Sequence, residues 1–172
     1  MKKLVLSTLV VLFTAVSFAQ TKVGTVDADY ILSQMPELAK AQEALKAYNL
    51  DLEEQLKTKM TNYETVVKAA EANFSTMTDA EKTAKQEEVV GLENDINKFR
   101  TNGSQLVQIK QNDLLRPLYQ KIGEQVNVYA KANGYTQIIN TTGTNNTLAY
   151  LDPAYDITLV VLKQMGITVK EN

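Results

Sequence analysis

Apolar residues recur through the middle of the chain at the spacing of one helix face. Between Leu38 and Phe74, apolar side chains occupy eleven positions with a mean step of 3.6 residues. This spacing predicts a long, nearly straight helix that begins at Pro36, because proline is tolerated in a first helical turn. At 1.5 Å per residue the helix would be about 58 Å long.

A second long helix is predicted from a capping signal just beyond the first. Thr78 is followed three residues later by Glu81, which is the pattern of a capping box. The apolar face of this second helix is interrupted only by Gly103 and Lys110. A connection this short predicts an antiparallel hairpin. The seam between its helices is predicted to contain Leu38, Leu45, Tyr48, Leu52, Leu56, Tyr63, Leu92, Ile96, Phe99 and Leu106.

The segment before the hairpin has a strand pattern followed by a short helix. Residues 22–26 alternate between polar and apolar, as in a short strand. Asp27 or Asp29 can cap a short helix through Leu32, because a carboxylate accepts hydrogen bonds from the free amides of a first helical turn.

The segment after the hairpin is also predicted to contain strands. Gly134 ends the second helix. Residues 135–139 and 147–151 then have strand patterns and are predicted to pair with each other as a β-hairpin. Asp156 is predicted to cap a last helix over 157–165, which Gly166 stops.

These terminal segments predict a head with a small core. The second helix has to return past the start of the first, which brings both ends of the chain together. Three short strands and one short helix make a marginal sheet, so association of subunits is the expected remedy. The predicted core of the head and of its association is Val23, Val26, Ile138, Ile139, Leu148 and Tyr150.

The first nineteen residues are typical of a secretory signal peptide. Lys2 and Lys3 precede an apolar run, and small residues at 17 and 19 suit a signal peptidase that cuts after Ala19. The alternative, an N-terminal anchor, is disfavoured because the run is too short to span a bilayer. The predicted division is therefore a signal peptide at 1–19, a head at 20–35 and 134–172, and a helical arm at 36–133.

Composition excludes many functions. The chain has no Cys and no His, so disulfides, Cys/His metal sites, thiol nucleophiles and imidazole bases are impossible. No Gly-rich phosphate loop is present, and no cofactor is expected. Residues 20–172 contain sixteen basic and twenty acidic residues, a net charge of −4, which disfavours nucleic-acid binding. A binding protein is expected rather than an enzyme.

Two carboxylate pairs, Asp27 with Asp29 and Asp152 with Asp156, raise the question of acid–base catalysis. Two carboxylates can hydrolyse a glycosidic bond when a substrate lies between them. Helix and turn capping explains the same residues more simply, and we favour it.

Several short stretches in fixed order give the chain a family resemblance. They are KVGTVD at 22–27, MPE at 35–37, LLRPL at 114–118, GY at 134–135, YLDP at 150–153 and DIT at 156–158. Together they resemble the Skp/OmpH family of periplasmic chaperones over essentially the whole chain after residue 19. The resemblance implies a mainly α fold with a small β part, in which helical-hairpin arms project from a β-barrel-forming head as a homotrimer.

The resemblance also implies a function. It implies a periplasmic, ATP-independent holdase that keeps unfolded outer-membrane proteins in a cavity between the arms and prevents their aggregation. A structural coiled-coil adaptor that binds a folded envelope partner is the alternative. Residues 57–90 contain five Lys and six Asp or Glu, so a lipopolysaccharide site of the basic family members is not assigned here.

Four apolar residues off the seam are candidate client contacts: Leu50, Val66, Val90 and Ile109. Weak apolar contacts repeated over several arms would give avidity without sequence specificity. Ordinary burial of these four side chains beside the seam is an alternative that the sequence favours equally. Leu115 and Val128 are assigned to such burial.

Glycines and a proline interrupt the second helix. Gly91, Gly103 and Gly123 suggest a flexible arm, with close helix packing at Gly103 as the alternative. Pro117 removes one helical hydrogen bond and is predicted to kink the helix near its base.

Overall fold

The computed structural model describes residues 21–143 and 148–169. The predicted signal peptide at 1–19 lies outside them. The described chain is mainly helical and divides into two compact units. We call Pro36–Leu118 the hairpin unit, and the described residues up to Met35 and from Tyr119 onward the terminal unit. In chain order the elements are β1 (Val23–Val26), α1 (Ala28–Gln34), α2 (Pro36–Asn73), α3 (Asp79–Ala132), β2 (Gln137–Asn140), a 3-10 turn (Pro153–Tyr155) and α4 (Thr158–Gln164).

The start of α3 has the capping box expected from the sequence. The Thr78 amide donates to Glu81 Oε2 over 2.8 Å, and the Glu81 amide donates to Thr78 Oγ1 over 3.4 Å. These reciprocal bonds satisfy donors that the first turn of a helix leaves free. The backbone hydrogen bond from Thr78 lowers the pKa of the Glu81 carboxyl below its ordinary value.

Side-chain contacts in the hairpin unit show that α2 and α3 run antiparallel. The Lys110 ammonium lies 5.5 Å from the centroid of the Tyr48 ring, and the Lys59 ammonium lies 5.7 Å from that of Phe99. Later residues of α2 thus lie beside earlier residues of α3, as in an antiparallel pair. The lysine that interrupts the apolar face is accommodated because its charge lies over an aromatic ring.

The predicted seam residues are the less accessible residues of the two helices. Leu52 and Ile96 are buried, and the other eight are half-buried. A pair of helices can shield only one stripe of each partner, so partial burial is the expected outcome for this unit taken alone. The helix α3 continues through Pro117.

The terminal unit contains a two-stranded parallel sheet. β1 pairs with β2 in a register that sets Val23 opposite Gln137 and Val26 opposite Asn140. The ladder is extended by the Thr141 amide, which donates to the carbonyl of Val26 over 2.8 Å. Parallel strands need a long crossover, and the helices between β1 and β2 supply it.

The β-hairpin predicted for 135–139 and 147–151 is wrong. β2 forms where the first of these strands was expected, but its partner is β1, and residues 148–151 have no strand structure. The second edge of β1 is occupied by Asp156, which bridges to Thr25, and the Ile157 amide donates to the Thr25 carbonyl over 2.9 Å. Residue 147 lies outside the described residues. The alternation in 147–151 predicted a strand, but alternation does not specify which strand lies beside it.

The core of the terminal unit lies between α1 and α4. Ile31, Ile157, Val161 and Leu162 have essentially no accessible surface. Thr158 is buried with them, and its hydroxyl accepts a hydrogen bond of 2.8 Å from the Asp27 amide. Two short helices and a two-stranded sheet are therefore held by one small apolar cluster.

The carboxylates considered for catalysis all have structural hydrogen bonds. Asp27 caps α1, where it accepts from the Tyr30 amide over 2.7 Å. Asp152 accepts from the Ala154 amide at the start of the 3-10 turn, and Asp156 accepts from the Thr158 amide at the start of α4. Capping therefore accounts for Asp27 and Asp152, as favoured from the sequence. The prediction that Asp156 caps the last helix is wrong, because the N-cap of α4 is Ile157 and Asp156 forms a turn one residue before it.

Candidate functional site

The hairpin unit exposes apolar side chains that the seam does not use. Leu50 is 56% exposed, and Val90 and Ile109 are about half exposed, whereas Val66 is half-buried. The helix backbone at these positions is already hydrogen-bonded internally, so such positions can offer a partner only side-chain contact. Their role as client contacts stays a prediction.

A cleft of about 660 Å³ lies near the turn between α2 and α3. Phe74, Met77, Val89 and Val90 supply its apolar lining. Phe74 is the last residue of the apolar face predicted for the first helix, but it is 59% exposed and lies just beyond the end of α2. The Lys82 ammonium lies 4.9 Å from the centroid of its ring.

The glycines of α3 are not sites of close packing in the described chain. A Cβ atom built on Gly91, Gly103 or Gly123 meets no atom within 4 Å. The close helix packing considered for Gly103 is therefore wrong for this hairpin. The flexible-arm interpretation stays a prediction.

The terminal unit exposes a second set of apolar side chains. Tyr150 is 77% exposed and Leu159 is 61% exposed, and Ile139, Tyr155 and Val160 are exposed as well. Of the predicted core of the head, Val26 is buried in the single chain. Val23, Ile138 and Leu148 are half-buried. The assignment of Ile139 and Tyr150 to a core thus depends on further subunits and stays a prediction.

A tyrosine–aspartate hydrogen bond joins α3 to α1 within the terminal unit. The Tyr119 hydroxyl donates to Asp29 Oδ1 over 2.6 Å. This bond to the carboxylate, together with partial burial and the negative charge, raises the pKa of Tyr119 to about 12. The bond also explains Asp29, which the sequence offered only as an alternative cap for α1.

The Tyr119–Asp29 bond predicts a loss of stability at high pH. The pKa of Tyr119 is raised from 10 in the unfolded chain to about 12 in the folded one, so folding favours the protonated phenol. The stabilisation is complete below pH 10 and is lost as the pH rises towards 12. The difference in urea midpoint between the wild type and Tyr119→Phe should therefore shrink over this interval. Tyr150→Phe is the control, and a constant Tyr119→Phe difference would contradict the prediction.

The described residues contain neither a metal site nor a membrane span. No group of three or more Asp, Glu, His or Cys side chains in the described ranges is placed to hold a metal ion. None of the helices in this part of the chain combines the length and apolar character needed to cross a bilayer.

Comparison with known proteins defines the class to which this fold belongs. The family model "Outer membrane protein (OmpH-like)" matches residues 22–165. The chain therefore belongs to the OmpH-like family, as the motifs had indicated. No curated protein matches it.

The fold is shared with a solved structure. The chain is similar to the crystal structure of a candidate outer membrane chaperone (OmpH-like) from Caulobacter crescentus, with a TM-score of 0.63. The two share 15% sequence identity over 90% of each chain. At this level of identity the likeness establishes the fold.

Proposed function

We propose that this protein is a periplasmic, ATP-independent holdase for unfolded outer-membrane proteins. The observation that carries the proposal is the helical hairpin with apolar residues exposed along it, in a chain of the OmpH-like family. Apolar contacts are non-directional and independent of sequence, so they suit many unfolded clients. The Caulobacter crescentus neighbour, itself described as a candidate outer membrane chaperone, supports the same assignment.

The proposed working form is a homotrimer with a β-barrel head and three helical arms around a cavity. Supporting this, the terminal unit exposes Tyr150, Leu159 and Val160, and among the described residues the outer edge of β2 has no partner strand. Burial of these groups would extend the small sheet and enlarge its core. Export through cleavage after Ala19 belongs to the same proposal.

The net charge of this protein differs in sign from that of the basic members of the family, and we propose that client binding differs accordingly. With a net charge of −4 for residues 20–172, client capture depends on apolar contact and enclosure rather than on attraction to acidic chains. Contact with lipopolysaccharide phosphates forms no part of the proposal. Binding should accordingly change little between low and moderate salt.

The test is suppression of aggregation. An unfolded outer-membrane barrel protein is diluted from urea with and without the chain, without nucleotide, and light scattering is followed. We expect full suppression near one trimer per client, and native mass spectrometry should show a trimer. Aggregation unchanged by the chain, with capture of one folded envelope protein instead, would contradict the holdase and favour the coiled-coil adaptor.

A further inference from the structure

The hairpin unit contains a second cleft that the sequence did not indicate. It has a volume of about 320 Å³, at the lower end of the range of ligand pockets, about 300–1,000 Å³. Leu52 and Leu56 of α2 and Phe99 and Val107 of α3 line it with apolar surface. Gly103 lies at its side, and the absence of a side chain there leaves the space open.

An unpaired acceptor lies in the lining of this cleft. The Asn49 side-chain oxygen, Oδ1, is buried and has no hydrogen-bond partner in the described chain. Buried polar atoms in folded proteins are almost always hydrogen-bonded, so an unpaired one calls for an explanation. The oxygen is shielded in the free chain, so a partner's donor would satisfy it once the Asn49 side chain turns towards the cleft.

A cation with unused hydrogen-bonding capacity lies in the same lining. Arg100 carries five N–H donors, and in the described chain its guanidinium donates from Nη2 to the sulfur of Met60 over 3.4 Å. In the described ranges, no carboxylate lies within ion-pair distance of its guanidinium. Arg100 can therefore donate to a carbonyl or carboxylate oxygen of a partner.

We propose that this cleft is a binding subsite for an extended segment of unfolded polypeptide. An apolar side chain of the segment enters between Leu52 and Phe99. Asn49 Oδ1 accepts from a backbone N–H beside it after the Asn49 side chain turns into the cleft, and a carbonyl oxygen accepts from Arg100. An extended peptide presents this set of groups, because unpaired N–H and C=O groups alternate along its backbone with side chains between them.

The subsite deepens the proposed holdase function and rests on it. Apolar contacts alone would hold any apolar surface, whereas an acceptor and a donor beside an apolar cleft select chains whose backbone is still unpaired. A folded barrel has no such groups free, since its strands bond to each other. The subsite would therefore release a client once its strands pair.

The first test fills the cleft. Gly103→Leu introduces a good helix former whose side chain occupies the space. Gly123→Leu is the matched control, because Gly123 also lies in α3 with open space around it but does not line the cleft. We expect the dissociation constant for a fluorescent unfolded outer-membrane protein to rise about tenfold for Gly103→Leu and to stay unchanged for Gly123→Leu.

The second test separates binding from stability. Asn49→Leu removes the buried unpaired oxygen, so we expect it to raise the urea midpoint of the hairpin while weakening client binding several-fold. Arg100→Gln should weaken binding without lowering the midpoint. If Asn49 had only a structural role, its replacement would not raise the urea midpoint and weaken client binding at the same time.

A photo-crosslinking amino acid at Val107 identifies the occupant. We expect crosslinks to the unfolded client and not to the same client after it has folded. Wild-type binding by Gly103→Leu, Asn49→Leu and Arg100→Gln, or crosslinks only to a second copy of this chain, would overturn the subsite while leaving the holdase intact. Failure of the wild type to bind any unfolded client would overturn both.

Discussion

Replacement of Leu162 by alanine is expected to lower the free energy of unfolding of the terminal unit by about 2–5 kcal/mol. Leu162 has no accessible surface and lies in α4, which contacts α1, where Ile31 is buried as completely. Truncation of the side chain leaves a cavity. Few neighbouring side chains are available to move into it, because the cluster between the two short helices is small. Hydrogen exchange of the α4 amides, followed by mass spectrometry, measures the loss locally.

The matched control for this variant is Leu50→Ala. It makes the same chemical change at a leucine that is mostly exposed. We expect the free energy of unfolding to change by no more than about 0.5 kcal/mol there. If the two variants were equally stable, the apolar cluster between α1 and α4 would not be what holds the terminal unit.

Replacement of Gly24 by alanine is expected to destabilise the terminal unit by about 1–3 kcal/mol. A Cβ atom at this position would lie 2.7 Å from Cε1 of the Tyr135 ring and 2.9 Å from Cδ1 of Ile138. The Tyr135 ring lies 6.1 Å from the ring of Tyr129 and 4.0 Å from the Lys22 ammonium, so moving it aside would disturb both contacts. The urea midpoint measures the effect.

The same substitution at Gly123 is expected to have the opposite sign. Gly123 lies within α3, and a Cβ atom there meets nothing within 4 Å. Alanine should stabilise the helix by about 1 kcal/mol, because it loses less backbone entropy than glycine. A stabilising effect at Gly24, or equal effects at both positions, would contradict the close approach of Tyr135 to β1.

Local signals in the sequence were sufficient for the helices. The capping box at Thr78 and the positive φ of Gly134 mark ends of α3 where the pattern placed them. Such signals act within one turn of helix, so they need no knowledge of the rest of the chain. The family resemblance likewise depended on ordered local motifs, and the match over residues 22–165 confirmed it.

Long-range pairing was not predictable in the same way. The strand pattern at 135–139 was recognised, but its partner was misassigned, because alternation specifies which face a strand buries and not which strand lies beside it. The bond between Tyr119 and Asp29 spans ninety positions and leaves no local trace. The same holds for the cleft beside Gly103, where Asn49 and Arg100 come from different helices.

By itself, the sequence determined the class of fold, the bounds of the two long helices, the capping box at Thr78 and the family, since periodicity and caps are properties of short segments. Only the tertiary structure decided that β1 pairs in parallel with β2, that Tyr135 lies over Gly24, and that an unpaired amide oxygen lies in an apolar cleft. These features arise where segments far apart in the chain meet. Their energies depend on which surfaces come together, and no single segment carries that information.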